Sequence, residues 1–164
     1  MAKRGVDLVA GSLLALLALP VMAALALALA WSLRCWPLFV QERVGRHGRT
    51  FRLWKLRTLP RAAPTDAHKY AIRAVPTTAL ARFLRRTHLD ELPQLLLVPL
   101  GRMALVGPRP EMTRLHRDGD PLFARARTSV RPGCTGLWQT SVEQHRLIWE
   151  APQYDLFYLR HASL

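Results

Sequence analysis

The feature that most constrains this chain is an apolar stretch close to its start. The run from Leu8 to Trp31, "LVAGSLLALLALPVMAALALALAW", contains no charged residue. As a straight α-helix it would measure about 36 Å, which is enough to cross the hydrocarbon layer of a membrane. The sequence therefore predicts a membrane helix over residues 1–34 and a separate small domain over residues 35–164.

Three interpretations of this helix compete: a cleaved signal peptide, a simple span, and a re-entrant helix that bends and leaves on the side it entered. The run is longer than the ~7–15 apolar residues of a signal peptide. Pro20, near its middle, removes a backbone hydrogen bond and favours a kink, although spanning helices also tolerate proline. Positive residues stay on the cytoplasmic side, and both flanks are basic, with Lys3 and Arg4 before the run and Arg34, Arg43, Arg46 and Arg49 after it. These features favour the re-entrant helix.

The charge balance predicts an anionic partner. Lysine and arginine number 24 and aspartate and glutamate 11, a formal net charge of +13. Nucleic acid, an anionic membrane surface and phosphorylated substrates are the candidates. The basic residues form no nucleic-acid reading motif and no aromatic stacking platform is evident, so we expect no nucleic acid. Cys35 and Cys134 lack zinc-ligand spacing and are expected to be unpaired thiols.

The remainder predicts an α+β domain that is mainly helical. Gly45 and Gly48 indicate a turn, and "TFRLWKLRTL" after them alternates as a strand or hairpin carrying basic residues. Thr78 to Arg86 has the pattern of a short amphipathic helix with Leu80, Phe83 and Leu84 on one face. Such a basic helix either lies on an anionic membrane surface or packs on a core.

Two segments rich in glycine and proline each carry one arginine. "VGPRPE" contains Arg109, and "VRPGCTGLWQ" contains Arg131. We predict both as loops. Glycine lets backbone N–H groups approach phosphate oxygens, and arginine supplies bidentate donors, so the pair suits a diphosphate. The alternative is that each arginine is structural.

Two adjacent acids, Asp90 and Glu91, stand out in a basic chain. Either Thr87 caps a helix that starts just before them, or Pro93 marks the first helical turn. Both arrangements place the pair at a helix beginning. There, one carboxylate could act as a nucleophile and the other could bind a divalent metal, since Mg²⁺ takes few carboxylates and keeps phosphate oxygens as ligands. The alternative is simple capping and solvation.

The chain resembles the bacterial sugar transferases, the monotopic polyprenyl-phosphate phosphoglycosyl transferases. The resemblance covers most of the chain, in family order. It rests on "KRGVDLVAG", "QERVGRHGRTFRLWKLRT", "ARFLRRTHLDELPQLLLVPLGRMALVGPRPE" and "RPGCTGLWQ".

The resemblance implies transfer of a sugar 1-phosphate from a UDP-sugar to undecaprenyl phosphate. This reaction releases UMP and begins the synthesis of exopolysaccharide, capsule, O-antigen or other glycoconjugates. It implies a re-entrant helix kinked at Pro20 and a catalytic domain with interfacial helices on the cytoplasmic face of the inner membrane, among anionic lipids. By carry-over, Asp90 attacks the sugar-bearing phosphorus and Glu91 holds Mg²⁺, while phosphate charge is neutralised by Lys55, Arg57, Arg86, Arg109 and, as a weaker candidate, Arg131.

The sequence departs from the family pattern at several positions. Leu19 stands where the family usually has serine before the membrane proline, and Arg102 replaces an acid within the long signature. Members of the family also usually continue past the position of Leu164 through an acidic segment. These departures keep an alternative open, a catalytically degenerate relative that binds or assembles at the membrane.

Overall fold

A computed structural model describes residues 2–63, 75–144 and 146–161. The first element, α1 (Ala2–Leu33), is a single long helix with Pro20 in its interior. In the described part of the chain it is the one helix long and apolar enough to cross a membrane, judged by length and composition. The predicted apolar helix is therefore present, and it begins and ends slightly beyond the uncharged run.

The predicted hairpin follows α1. Strands β1 (Leu38–Val44) and β2 (Thr50–Leu56) are neighbours in a three-stranded sheet, and the turn between them is closed by the Gly45 N–H, which donates to the Arg49 carbonyl at 2.8 Å. Gly48 has a φ of +75°, the left-handed region that favours glycine. The third strand is β4 (Glu111–Met112), antiparallel to β1 with Val44 opposite Glu111.

The predicted amphipathic helix is α2 (Ala79–Thr87), and Thr78 caps it by accepting the Ala81 N–H. The cap satisfies one of the N–H groups that a helix start leaves without an intrahelical partner. Ala81 and Leu84 are buried, whereas Phe83 is exposed. The helix therefore packs on a core through Ala81 and Leu84, one of the two predicted alternatives, and it also presents the Phe83 ring to the outside.

A 3₁₀ helix over Leu89–Leu97 carries Asp90 and Glu91 in its first turn and Pro93 in its interior. The pair therefore does lie at a helix beginning. The alternative in which Thr87 caps this helix is wrong, because α2 continues to Thr87 and the Thr87 hydroxyl donates to the Phe83 carbonyl at 2.9 Å. His88, with a φ of 58°, separates the two helices.

The rest of the described chain consists of short elements. Strands β3 (Ala104–Val106) and β5 (Gly133–Thr135) form a parallel pair, with Ala104 opposite Gly133. The helices are α3 (Thr113–Asp118), α4 (Pro121–Arg127), α5 (Leu137–Thr140) and α6 (Pro152–His161). Part of "VRPGCTGLWQ" is thus a strand and a helix start, which corrects the prediction of a loop there.

By its contacts the chain divides into two units, each of which combines part of α1 with later segments. One consists of Met1–Leu14, Glu42–Leu53 and Gln94–Leu164, and the other of Ala15–Gln41 and Trp54–Pro93. We call these the first unit and the second unit. The core of the second unit contains Leu29, Leu56, Ala81 and Leu84. The first unit has a cluster of Trp138, Ile148 and Ala151.

Candidate active site

The second unit brings together three of the predicted site residues: Lys55, Asp90 and Glu91. Lys55 lies on β2 two residues after the buried Leu53, so alternation along the strand places both on the same face. Its ammonium group donates to the Glu91 carboxylate at 2.6 Å. Both side chains are largely withdrawn from solvent, at 16% and 15% exposure, so water screens this ion pair less than it would a surface pair.

Asp90 lies beside this ion pair and is half-buried. Burial raises the pKa of Asp90 above its usual value, and the negative charge of Glu91 adds to the rise. Lys55, His88 and Arg85 act in the opposite direction and lower the pKa, but their sum does not cancel the desolvation. Asp90 is therefore a carboxylate with reduced solvation and raised basicity, and once ionised it is suited to act as a nucleophile.

Two further predicted cations, Arg57 and Arg86, also belong to the second unit. Arg57 follows β2, and its Nε donates to the Trp36 carbonyl at 3.1 Å while its guanidinium lies 5.6 Å from the centre of the Phe39 ring. Arg86 is exposed in the last turn of α2. Neither residue is among the charges that shift the pKa of Asp90, and their role toward phosphate stays a prediction.

Sequence reasoning missed Arg85 and His88 as site residues. Both reduce the pKa of Asp90, as described above. Arg85 belongs to the last turn of α2, and His88 occupies the left-handed position that ends this helix. The feature of the sequence that could have indicated them is that "RRTH" directly precedes "LDE". The helical pattern of α2 does not reveal which of the two arginines, Arg85 or Arg86, acts on Asp90.

Arg109 and Arg131 belong to the first unit. Arg131 donates from Nε to the Gly101 carbonyl at 3.0 Å, and burial together with the charges of Arg4 and Arg46 lowers its pKa. Arg109 lies between β3 and β4 and is half-buried. Their roles toward phosphate also stay predictions.

The glycines near these arginines allow two backbone segments to approach each other closely. A Cβ added at Gly107 would lie 2.7 Å from the Arg131 carbonyl oxygen and 2.9 Å from the Gly133 nitrogen. The Gly107 N–H donates to the Thr135 carbonyl, and the Gly133 N–H donates to the Pro108 carbonyl, both at 2.9 Å. Both N–H groups are therefore occupied by backbone carbonyls and do not act as donors to phosphate.

The donor set suits Mg²⁺ only together with a substrate. Within the described residues, no three histidine, cysteine, aspartate or glutamate side chains come together as a metal cage. Asp90 and Glu91 offer adjacent carboxylates, and Mg²⁺ in phosphate chemistry is commonly held by one or two carboxylates, water and substrate oxygens. The pair therefore fits an ion that binds with a diphosphate.

Comparison with known proteins identifies the family of this chain. The family model described as "Bacterial sugar transferase" matches residues 1–164. The chain is 33% identical to the UDP-glucose:undecaprenyl-phosphate glucose-1-phosphate transferase of Escherichia coli (strain K12), with 99% of this chain and 37% of that protein covered. It is 37% identical to the undecaprenyl-phosphate glucose phosphotransferase of Komagataeibacter xylinus, with 89% and 29% covered.

A third relative, from Aeromonas hydrophila, is named UDP-N-acetylgalactosamine-undecaprenyl-phosphate N-acetylgalactosaminephosphotransferase. It is 31% identical, with 99% of this chain and 40% of that protein covered. The chain thus spans between about three tenths and two fifths of the length of these three relatives. Since the family model matches the full sequence, the chain belongs to the bacterial sugar transferase family.

Proposed function

We propose that this protein transfers a sugar 1-phosphate from a UDP-sugar to undecaprenyl phosphate. The observation that carries the proposal is the position of Asp90, half-buried beside the Lys55–Glu91 ion pair on a helix start. The relatives support the reaction class by their names, which specify glucose in two cases and N-acetylgalactosamine in another. Because those sugars differ, the proposal specifies the nucleotide and the acceptor but not the sugar.

The mechanism proceeds in two displacements at one phosphorus atom. First, a carboxylate oxygen of Asp90 attacks the sugar-bearing phosphorus, the bond to the bridging oxygen breaks, and UMP leaves with the electron pair. Second, an oxygen of the lipid phosphate attacks the same phosphorus, and the Asp90 carboxylate leaves unchanged. The product is a diphosphate-linked sugar lipid. The low solvation of Asp90 favours the first step, because little water must be removed from the carboxylate.

The other side chains bind and orient the substrates. Lys55 holds Glu91 in place at 2.6 Å and contributes positive charge beside the reacting carboxylate. Glu91 would hold Mg²⁺, which when bound would neutralise phosphate charge. Arg57, Arg86, Arg109 and Arg131 are proposed to neutralise the oxygens whose charge grows in the transition state.

We propose further that α1 is re-entrant. Near its start, Arg4 donates to the Val98 carbonyl at 2.9 Å, and Asp7 accepts the Leu105 N–H at 3.0 Å. Near its end, Leu29 packs in a core with Leu56, Ala81 and Leu84. The partners of both ends therefore lie in the chain that follows α1, where no described helix could bring the chain back across a membrane. A spanning α1 would place its two ends on opposite sides.

Exposed aromatic side chains support a location at the membrane surface. Trp31 is 89% exposed, Trp36 74% and Phe83 54%, and all three belong to the second unit. Tryptophan concentrates at the boundary between hydrocarbon and water, and the surrounding excess of positive charge favours anionic lipids. We place the catalytic residues on the cytoplasmic face of the inner membrane, where UDP-sugars occur.

The test is UMP release from a panel of UDP-sugars by the purified protein with Mg²⁺ and undecaprenyl phosphate. We expect release with at least one donor, dependent on lipid, and a loss of about 10³-fold or more in Asp90→Asn. Asp118→Asn, which changes an exposed acid on α3, is the matched control and should keep wild-type activity. Binding of UDP-sugar without turnover by the folded wild-type protein would instead identify a degenerate relative.

A further inference from the structure

Arg127 is a buried arginine to which the reaction proposed above assigns no task. It is the last residue of α4, and its side chain is 5% exposed. Its Nε and Nη2 both lie 3.0 Å from Oδ2 of Asp155 on α6, a carboxylate that is itself buried. Its Nη1 lies 3.4 Å from Oε2 of Glu111. Removing an arginine and an aspartate from water is costly, and such a pair often stabilises a fold no better than apolar residues would.

The third contact of Arg127 explains why these charges are buried. Its Nη2 donates to the carbonyl of Arg109 at 2.8 Å. One guanidinium therefore bonds to α6, to β4 and to the segment 107–110 that joins β3 to β4. Only the planar fork of arginine can donate in these several directions at once, since the lysine ammonium is a point charge on a flexible stem.

The segment 107–110 is held at each of three successive carbonyls. The Pro108 carbonyl accepts the Gly133 N–H at 2.9 Å, the Arg109 carbonyl accepts from Arg127, and the Pro110 carbonyl accepts from Arg43 at 3.4 Å. Pro108 and Pro110 are buried, whereas Arg109 between them is only half-buried. The backbone is thus fixed on both sides of the one residue whose side chain is charged.

We propose that Arg127, oriented by Asp155 and Glu111, is a positioning residue for Arg109. It fixes the backbone of 107–110 so that the Arg109 guanidinium meets the phosphate groups of the substrate in one orientation. This inference rests on the proposed function for the role of Arg109, and on the contacts above for the role of Arg127.

Hydrogen–deuterium exchange tests the positioning without any need for activity. The Arg127→Lys variant keeps the charge and loses the fork, and we expect the amides of 104–112 to exchange about tenfold faster than in the wild type. Arg125→Lys, an exposed change on the same helix, should leave them unchanged. Asp155→Asn, which keeps the shape of the side chain, should also make these amides exchange faster. It replaces Arg127→Lys as the test variant if Arg127→Lys does not fold. Unchanged exchange in a folded Arg127→Lys or Asp155→Asn variant would overturn the proposal.

A double-mutant comparison tests the link to Arg109. We expect Arg127→Lys to reduce kcat/KM for the UDP-sugar about tenfold when Arg109 is present, and by less than about twofold in the Arg109→Ala background. Equal losses in both backgrounds would show that Arg127 supports the fold in general, and would overturn the proposal. If the wild type transfers no sugar phosphate, the proposed function fails, and the exchange experiment alone decides whether Arg127 fixes this segment.

Discussion

At the scale of single residues, the arrangement around Asp90 depends on opposing electrostatic effects. Burial and Glu91 raise its pKa, while Lys55, His88 and Arg85 lower it, and the rise prevails. The consequence for activity has a definite sign. A carboxylate must be ionised to attack phosphorus, so activity should fall as pH decreases through the raised pKa of Asp90.

Lys55 provides a direct test of this balance. Removing its charge in Lys55→Met removes the largest influence that lowers the pKa of Asp90. We therefore expect the acid limb of kcat/KM to move to higher pH, in addition to a reduced rate. The measurement is the pH profile of UMP release.

Lys55→Arg is the matched control because it retains the positive charge. Its acid limb should stay close to that of the wild type even if its rate is lower. A Lys55→Met profile with its acid limb at the wild-type position would show that Asp90 is not the group whose ionisation limits the reaction.

At the scale of elements, the sequence predicted those that depend on local patterns. The alternation after Gly48 gave β2, and the apolar spacing from Thr78 gave α2. The predictions that were wrong depend on contacts that residue types alone do not specify. Gly133–Thr135 forms a strand because its backbone pairs with β3, and nothing within "VRPGCTG" encodes that pairing. Thr87 has the residue type of a cap for the next helix, but its hydroxyl donates back into α2.

Thr78, which precedes α2, and Thr87, which ends it, can be compared to separate a capping threonine from one that caps no helix. Thr78 accepts the Ala81 N–H, so Thr78→Ala should reduce the free energy of unfolding by about 1 kcal/mol. Thr87 caps no helix, so Thr87→Ala should change it by less than about 0.5 kcal/mol. Denaturant titration of the two variants in the same detergent gives the comparison. A larger loss for Thr87→Ala than for Thr78→Ala would contradict the assigned boundary between α2 and the 3₁₀ helix Leu89–Leu97.

At the scale of the whole molecule, the sequence combines an apolar helix, an excess of positive charge and an acidic pair. In the structure, Glu91 of the acidic pair and Lys55 of β2 do lie together. The predicted roles of Arg109 and Arg131 depend on substrate contacts that sequence patterns do not encode. The net charge of +13 and the exposed tryptophans support the proposed location at a membrane surface. The topology of α1 is the feature on which this location depends.

Cysteine labelling tests that topology. Cys35 lies just after α1 and is partly exposed, so Cys134→Ala leaves one native reporter, and Ala2→Cys supplies a second at the other end. In right-side-out and inverted membrane vesicles, we expect a membrane-impermeant maleimide to reach both positions only from the cytoplasmic side. Labelling of residues 2 and 35 from opposite sides would show that α1 spans the membrane.

In the proposed mechanism Asp90 carries the sugar phosphate during transfer, and this species can be trapped when no lipid acceptor is present. The protein is incubated with Mg²⁺ and a UDP-sugar labelled with ³²P at the sugar-bearing phosphate, without lipid. We predict that label becomes bound to the wild-type protein together with UMP release, that peptide mapping places it on Asp90, and that undecaprenyl phosphate removes it. Sugar phosphate transfer to lipid with no protein-bound label, or label on the Asp90→Asn variant, would rule out Asp90 as the carrier.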